Sequence, residues 1–192
     1  AENSLKTSIL FFALVICTTL WFSADLYNVL RPSLLQDQGL DCLKELDQRG
    51  ISYQHLGETN EGVCGIKNAV RIKNFPNTQL SSSITVNCSF ALDLNDFLTR
   101  IEARRITHMG AYNCREVRDS LLMSEHSYGT AIDISEIDSA SILEDWGANT
   151  AKGKALKRAN DSACSFFSNV LSPNTNAAHR DHFHLDNGFG SS

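Results

Sequence analysis

The sequence predicts an α+β fold with a small, mainly antiparallel sheet and flanking helices, preceded by one transmembrane helix. Three observations lead there. Short alternating segments are mixed with helix-period segments, without a regular strand–helix–strand repeat. Only three Pro and eleven Gly occur, with no long Pro/Gly/Ser linker, so the body reads as one compact unit of about 150 residues. The positions from Thr7 to Ala24 carry no charged residue.

In chain order, the first element is that uncharged run of 18 positions. As a helix at about 1.5 Å per residue it covers roughly 27 Å, close to a bilayer core. Leu10, Phe11, Phe12, Leu14, Val15, Ile16, Leu20, Trp21 and Phe22 fill it, and Trp21 and Tyr27 sit where an aromatic belt would lie. A cleaved signal peptide is the competing reading, but Phe22-Ser23-Ala24 puts Phe where a small residue is wanted. The expected organisation is an anchor over 1–30, a linker over 31–41 and a folded domain over 42–190. Lys6 before the run favours a cytoplasmic N-terminus, so the domain would face the periplasm or the exterior.

Within the domain, Cys42 to Arg49 reads as a helix ended by Gly50. Ile51–Leu56 and Ala69–Ile72 alternate as short strands. Cys88, Ala91, Leu92, Phe97, Leu98 and Ile101 recur at helical spacing. Ile106–Tyr112 and Tyr128–Ile134 read as strands. Ala155 to Leu171 reads as the clearest helix, with Leu156, Ala159, Ala163, Phe166, Phe167 and Val170 inward and Pro173 beyond its end. His182–Leu185 reads as a last strand.

Composition narrows the function. The chain has 192 residues, a net charge of −5 and a pI near 5.6. The basic footprint needed for nucleic acid is missing, so no nucleic-acid partner is expected and a metal nuclease is disfavoured. Six cysteines without a CxxC argue for an oxidising compartment with two disulfides rather than for a zinc finger.

Three of the six histidines, His179, His182 and His184, fall in one six-residue window. Uniform scattering would place about 0.2 there. On a strand His182 and His184 share a face, and neighbouring imidazoles suit a transition metal such as zinc. A second constellation, Ser124-Glu125-His126-Ser127-Tyr128-Gly129-Thr130-Ala131-Ile132-Asp133, reads S-x-H-x-x-G-x-A-x-D.

The two motifs together resemble the zinc peptidases that include D-Ala-D-Ala dipeptidases, lysostaphin-type enzymes and the hedgehog signalling domain. More closely, the chain resembles the extensin-like C-terminal family of bacterial proteins over about residues 42–187. Cys64-Gly65-Ile66, Tyr112-Asn113-Cys114-Arg115 and Ala163 to Phe167 add to that resemblance. It implies that His126, Asp133 and His184 ligate zinc (Zn2+), leaving a fourth position for water. The implied activity is zinc-dependent hydrolysis of peptide bonds in peptidoglycan stem peptides or cross-links. A narrower resemblance, to membrane-anchored endopeptidases associated with type VI secretion, adds secretion-system components as partners.

Two residues compete for the general base, Asp181 and His182, and strand parity leans towards His182. Arg115 resembles the arginine that neutralises developing charge or a substrate carboxylate. Ser124 is a candidate to bind substrate or to cap its loop, and His179 a candidate to bind substrate. Asp186 reads either as a partner for His184 or as a solvated carboxylate. His55 and His108 read as structural. The expected disulfides are Cys42–Cys64 and Cys114–Cys164, with Cys88 free and buried. The alternative function is a non-catalytic, metal-stabilised module that binds peptidoglycan or another partner.

Overall fold

The structure, a computed structural model, describes residues 39–118 and 120–188. Helix α1 covers residues 39–48 and stops at Gly50, whose φ of +67° is left-handed. Ile51 N–H reaches back to Leu46 O and Gly50 N–H to Asp47 O, both at 3.0 Å, which satisfies the last carbonyls of the helix. A long meander comes next: β1 (Tyr53–Glu61), β2 (Cys64–Phe75) and β3 (Thr78–Asn87). Asn87 caps α2 (Cys88–Arg100) by accepting from Ser89 N–H at 2.9 Å. Then come β4 (Arg105–Gly110), a 3₁₀ turn (Glu125–Tyr128), β5 (Ala131–Ile137), β6 (Ala140–Ser141), α3 (Ile142–Asp145) and α4 (Ala151–Ala163). The chain closes with β7 (Asn169–Leu171), a second 3₁₀ turn (Ala177–His179) and β8 (Phe183–Asp186).

The strands form one eight-stranded sheet in the order β1-β2-β3-β4-β5-β8-β7, with β6 paired to β5. All described pairings are antiparallel except β3 with β4. The α+β class and the antiparallel character agree with the sequence. The sheet is larger than expected. The expected transmembrane helix lies outside the described residues, and among those residues no helix is long and apolar enough to cross a membrane.

One core lies between sheet and helices. Phe90, Leu94, Phe97 and Leu98 of α2 are fully buried against Val70, Ile72, Ile84, Val86, Ile132, Ile134, Phe183 and Leu185 of the sheet. Phe167 wedges between Phe97 and Phe90, with ring centroids 5.4 and 5.7 Å away.

Several boundaries differ from the sequence reading, each for a physical reason. The helix expected over 155–171 is α4, Ala151–Ala163; after it Phe166 and Phe167 turn onto α2, and Asn169–Leu171 pairs with β8 instead. Those aromatic positions are periodic because they are buried, not because they are helical. The strand expected from Tyr128 starts at Ala131, because Glu125–Tyr128 closes a 3₁₀ turn. The sequence pattern hides β3, since Ser81, Ser82 and Ser83 mask a buried set of Thr78, Leu80, Ile84 and Val86.

Both expected disulfides are corrected. Cys42 bonds Cys88, and Cys64 bonds Cys114. Cys88 is therefore not free, and Cys164, at the end of α4, is exposed and unpaired among the described residues. The first pairing results from helix alignment. Arg49, just past the end of α1, pairs with Asp96 of α2, which sets the two helices side by side and brings Cys42 to the first turn of α2. The bridges close sequence separations of 46 and 50 residues, so each stabilises the fold by about 4 kcal/mol in the chain-entropy account. In alkylation of the folded protein without reductant, Cys164 is expected to label while Cys42, Cys64, Cys88 and Cys114 label only after reduction. Peptide mapping that recovers a 42–64 or 114–164 cross-link would contradict this pairing.

Candidate metal centre

β5 and β8 pair so that Asp133 stands directly opposite His184. The same register puts Ile132 opposite Leu185 and Ile134 opposite Phe183 on the other face, in the core. Asp133 and His184 therefore project together from the face away from the helices. His126 arrives from the 3₁₀ turn. Ser124 caps that turn by accepting from His126 N–H at 3.4 Å, and Gly129 ends it with φ +66°.

The turn is held from two sides. Asn87 N–H, at the end of β3, donates to Gly129 O at 2.8 Å. The Ala111 carbonyl, just past β4, receives His126 Nδ1, which leaves Nε2 free to face the other two residues. Nε2 lies 3.2 Å from His184 Nδ1 and 3.2 Å from Asp133 Oδ2. His184 Nδ1 is 2.8 Å from Asp133 Oδ1, while its Nε2 is engaged by Asp186 Oδ2 at 2.9 Å. One ligand atom from each residue falls within 4.8 Å of the others.

These residues fit a zinc ion. At Zn–N and Zn–O bonds near 2.0–2.1 Å, tetrahedral ligand atoms lie about 3.3 Å apart. The 3.2 Å separations of His126 Nε2 from its two neighbours match that edge. Each imidazole has its remaining nitrogen engaged, one by a carbonyl and one by a carboxylate, which fixes ring orientation in the manner of a metal ligand.

The electrostatics favour positive charge at this point. Burial disfavours a charged Asp133, yet hydrogen bonds from His126 and His184 hold its carboxyl well below the usual carboxylate range. Burial likewise disfavours a charged His184, but its bonds to Asp133 and Asp186 prevail and raise its pKa to about 9. Asp186 is 4% exposed; burial pushes its carboxyl up, and His184, Asn169 and the Gly188 N–H more than offset that. Asn169 Nδ2 and Gly188 N–H both donate to Asp186 Oδ1 at 2.8 Å.

The other sequence candidates divide. His182 belongs to the cluster: Nε2 is 3.7 Å from Asp133 Oδ1, and Nδ1 is 2.8 Å from Asp181 Oδ1. His182 lies just before β8 rather than in it, so strand parity is not what brings it there. His179 is also close, its ring 5.1 Å from that of His182 and 5.9 Å from that of His184, with Nδ1 on Asn176 Oδ1 at 2.8 Å. Ser124 is buried and serves as the cap of the His126 turn. The Arg115 side chain is exposed and bonds the Glu116 carbonyl at 3.3 Å; it takes no part in the hydrogen bonds of the cluster. His55 and His108, on β1 and β4, stand outside the site.

Ser127, Asn169 and the Ala111 carbonyl join the site without having stood out in the sequence. Only Ser127 carries a local signal, standing at the unspecified position directly after His126 in the S-x-H-x-x-G-x-A-x-D pattern. Gly129 has a double constraint: its φ is left-handed, and a Cβ there would lie 2.7 Å from Ile66 Cδ1 and 2.9 Å from Asn87 N. Gly129→Ala is expected to lower stability by about 1–3 kcal/mol, measured by denaturant unfolding, and to displace His126. An unchanged midpoint would show that the turn relaxes.

Compared with protein families, the chain matches the model described as extensin-like protein C-terminus over residues 40–190. No curated protein and no solved structure matches it. The matched stretch holds every ligand candidate and both disulfides. The chain therefore belongs to the extensin-like protein C-terminus family.

Proposed function

We propose that this chain is a zinc-dependent peptidoglycan endopeptidase, hydrolysing peptide bonds of stem peptides or cross-links. The observation that carries the reading is the convergence of His126 Nε2, Asp133 and His184 Nδ1, with the second nitrogen of each imidazole engaged by Ala111 O or Asp186. Three protein ligands of this type leave a position open, which is the mark of catalytic rather than structural zinc. Zinc held there supplies Lewis acidity, generating a nucleophile from water near neutral pH and polarising a carbonyl.

The chain's own groups account for the proton. Asp181 receives His182 Nδ1–H, and this bond holds the Asp181 carboxyl below its usual range. The imidazole is thereby oriented with Nε2 towards Asp133. In this reading His182 Nε2 takes the proton from the attacking water and returns it to the leaving amine. Asp181 orients the ring, so both candidates for the base act, in different roles. His179, whose pKa is lowered by burial and by the neighbouring imidazoles, is available as a neutral contact for substrate. Peptidoglycan as substrate rests on the resemblance of the two motifs to wall-cleaving zinc peptidases. The same resemblance, with the uncharged run Thr7–Ala24, supports anchoring in the inner membrane, a periplasmic catalytic domain and secretion-system components as partners.

The purified protein is expected to bind one zinc ion, and His126→Ala, Asp133→Ala and His184→Ala to abolish binding at micromolar zinc. Asp186→Asn is expected to weaken affinity about 10–100-fold. His182→Ala should keep zinc and lose about 10²–10⁴-fold in kcat on muropeptides. Mass spectrometry of released fragments reads the bond cut. Stoichiometric zinc with retention on sacculi and no released fragment would favour the non-catalytic module; no zinc at all would sink the reading.

A further inference from the structure

We infer that the Cys64–Cys114 bridge is a positioning device for His126, setting the metal affinity of the site, whereas the Cys42–Cys88 bridge is a staple for the fold alone. The inference rests on the reading of His126 as a metal ligand. Cys114 lies in the segment from Ala111 to Arg115, which is the frame of the His126 turn. Ala111 O receives His126 Nδ1, Asn113 N–H donates to His126 O at 3.1 Å, and Ser124 N–H donates to Arg115 O at 3.0 Å. Ser127 is completely buried. Its hydroxyl accepts from Arg115 N–H at 3.0 Å and lies 2.9 Å from Arg115 O and 3.2 Å from Asn113 O.

Apart from its bonds to the turn, that frame is held at its start by buried Ala111 and by Tyr112 Oη donating to Glu61 Oε2 at 3.0 Å, and at its far end by the bridge. It is neither helix nor strand, and Asn113, Cys114 and Arg115 are exposed. Cys114 ties it to Cys64, a buried residue at the first position of β2. Two residues on, fully buried Ile66 supports the opposite side of the same turn, against Gly129. The bridge thus closes a clamp: β2 lies beneath the turn, the frame lies across it, and the disulfide joins the two. Cys42–Cys88 instead joins α1 to α2. Cys88 follows Asn87, whose N–H holds Gly129 O, but Asn87 is fixed apart from the bridge by its pairing with Ala69 of β2 and by Asn87 Nδ2 donating to Lys67 O at 2.7 Å.

The site is then at full affinity only where Cys64 and Cys114 are oxidised. The bridge forms by exchange with an external disulfide: the Cys64–Cys114 S–S bond is made, the external S–S bond breaks, and its two sulfurs leave as thiols carrying the two protons and two electrons. In a reducing compartment the turn is left without its clamp.

The two bridges close loops of nearly equal length, which supplies the control. Cys64→Ser/Cys114→Ser and Cys42→Ser/Cys88→Ser should lose similar thermal stability. At a temperature where both are folded by circular dichroism, zinc affinity by competition with a chromophoric chelator should fall about tenfold or more in the first and stay at the wild-type value in the second. Ser127→Ala, which leaves both bridges intact, should weaken zinc in the same direction. Amide exchange in metal-free protein gives a second readout: Asn113 and Ser127 should exchange faster only in the 64/114 and Ser127 variants. Equal zinc affinity in the two double variants, with unchanged exchange at Asn113, would overturn the inference. Failure of the wild type to bind zinc would instead remove the metal reading, and the exchange experiment would still decide whether the bridge braces the turn.

Discussion

The register between β5 and β8 places Asp133 opposite His184, and the same register places Ile132 opposite Leu185 and Ile134 opposite Phe183. A slip of one residue would exchange the two faces, sending the apolar set to solvent and the charged set into the core. Those four apolar side chains are completely buried. Each contributes about 1.5–3 kcal/mol by burial, so the core strongly penalises any slip. Bringing a carboxylate and imidazoles together out of water costs several kcal/mol per ion on its own. The apolar face therefore supplies the free energy that holds the polar face in an arrangement it would not reach alone.

The charged groups do not sit there uncompensated. His184 is placed between Asp133 and Asp186, and Asp186 in turn is bound by Asn169 and Gly188 N–H. β7, only three residues long, presents Asn169 to this chain of bonds from the edge of the sheet. The result is a row of polar groups, each with its orientation fixed by the next. Such preorganisation is what a metal site needs and what an isolated His/Asp pair on a surface lacks.

The convergence of His126, Asp133 and His184 was legible because motifs encode it locally: His126 and Asp133 lie in one short pattern, and His184 in the histidine window. The α+β class was legible from mixed periodicity. The helix end at Gly50 was legible because its turn chemistry is local. The failures share one cause. Cysteine pairing, the strand at Asn169–Leu171 and β3 with its three serines all depend on which segments meet in space. Cys64 was the expected partner of Cys42, but α1 lies beside α2, as Arg49 and Asp96 show, and that brings Cys88 instead. Asp186 was ambiguous for the same reason, since Asn169, which donates to its carboxylate, comes from β7.

The position of the His126 turn stems from one incomplete junction in the sheet. β3 and β4 are its parallel pair, and they share backbone register at only two positions, Gln79 with Arg105 and Leu80 with Ile106. From there the strands continue to Asn87 and Gly110, and the turn carrying His126 is bonded at both of these ends, Gly129 to Asn87 and His126 to Ala111. β4 also carries two register shifts against β5, on either side of His108, just before the site. Bulges of that kind bend a strand and re-aim the segment beyond it. A fully paired β3–β4 ladder would leave no room for a turn at this point, and His126 could not approach the β5–β8 pair from the side. The incomplete ladder is thus the feature that lets His126 reach a face on which Asp133 and His184 are fixed by strand register, and it explains why bonds from outside the ladder, Asn87 to Gly129 and Cys64 to Cys114, are concentrated around that turn.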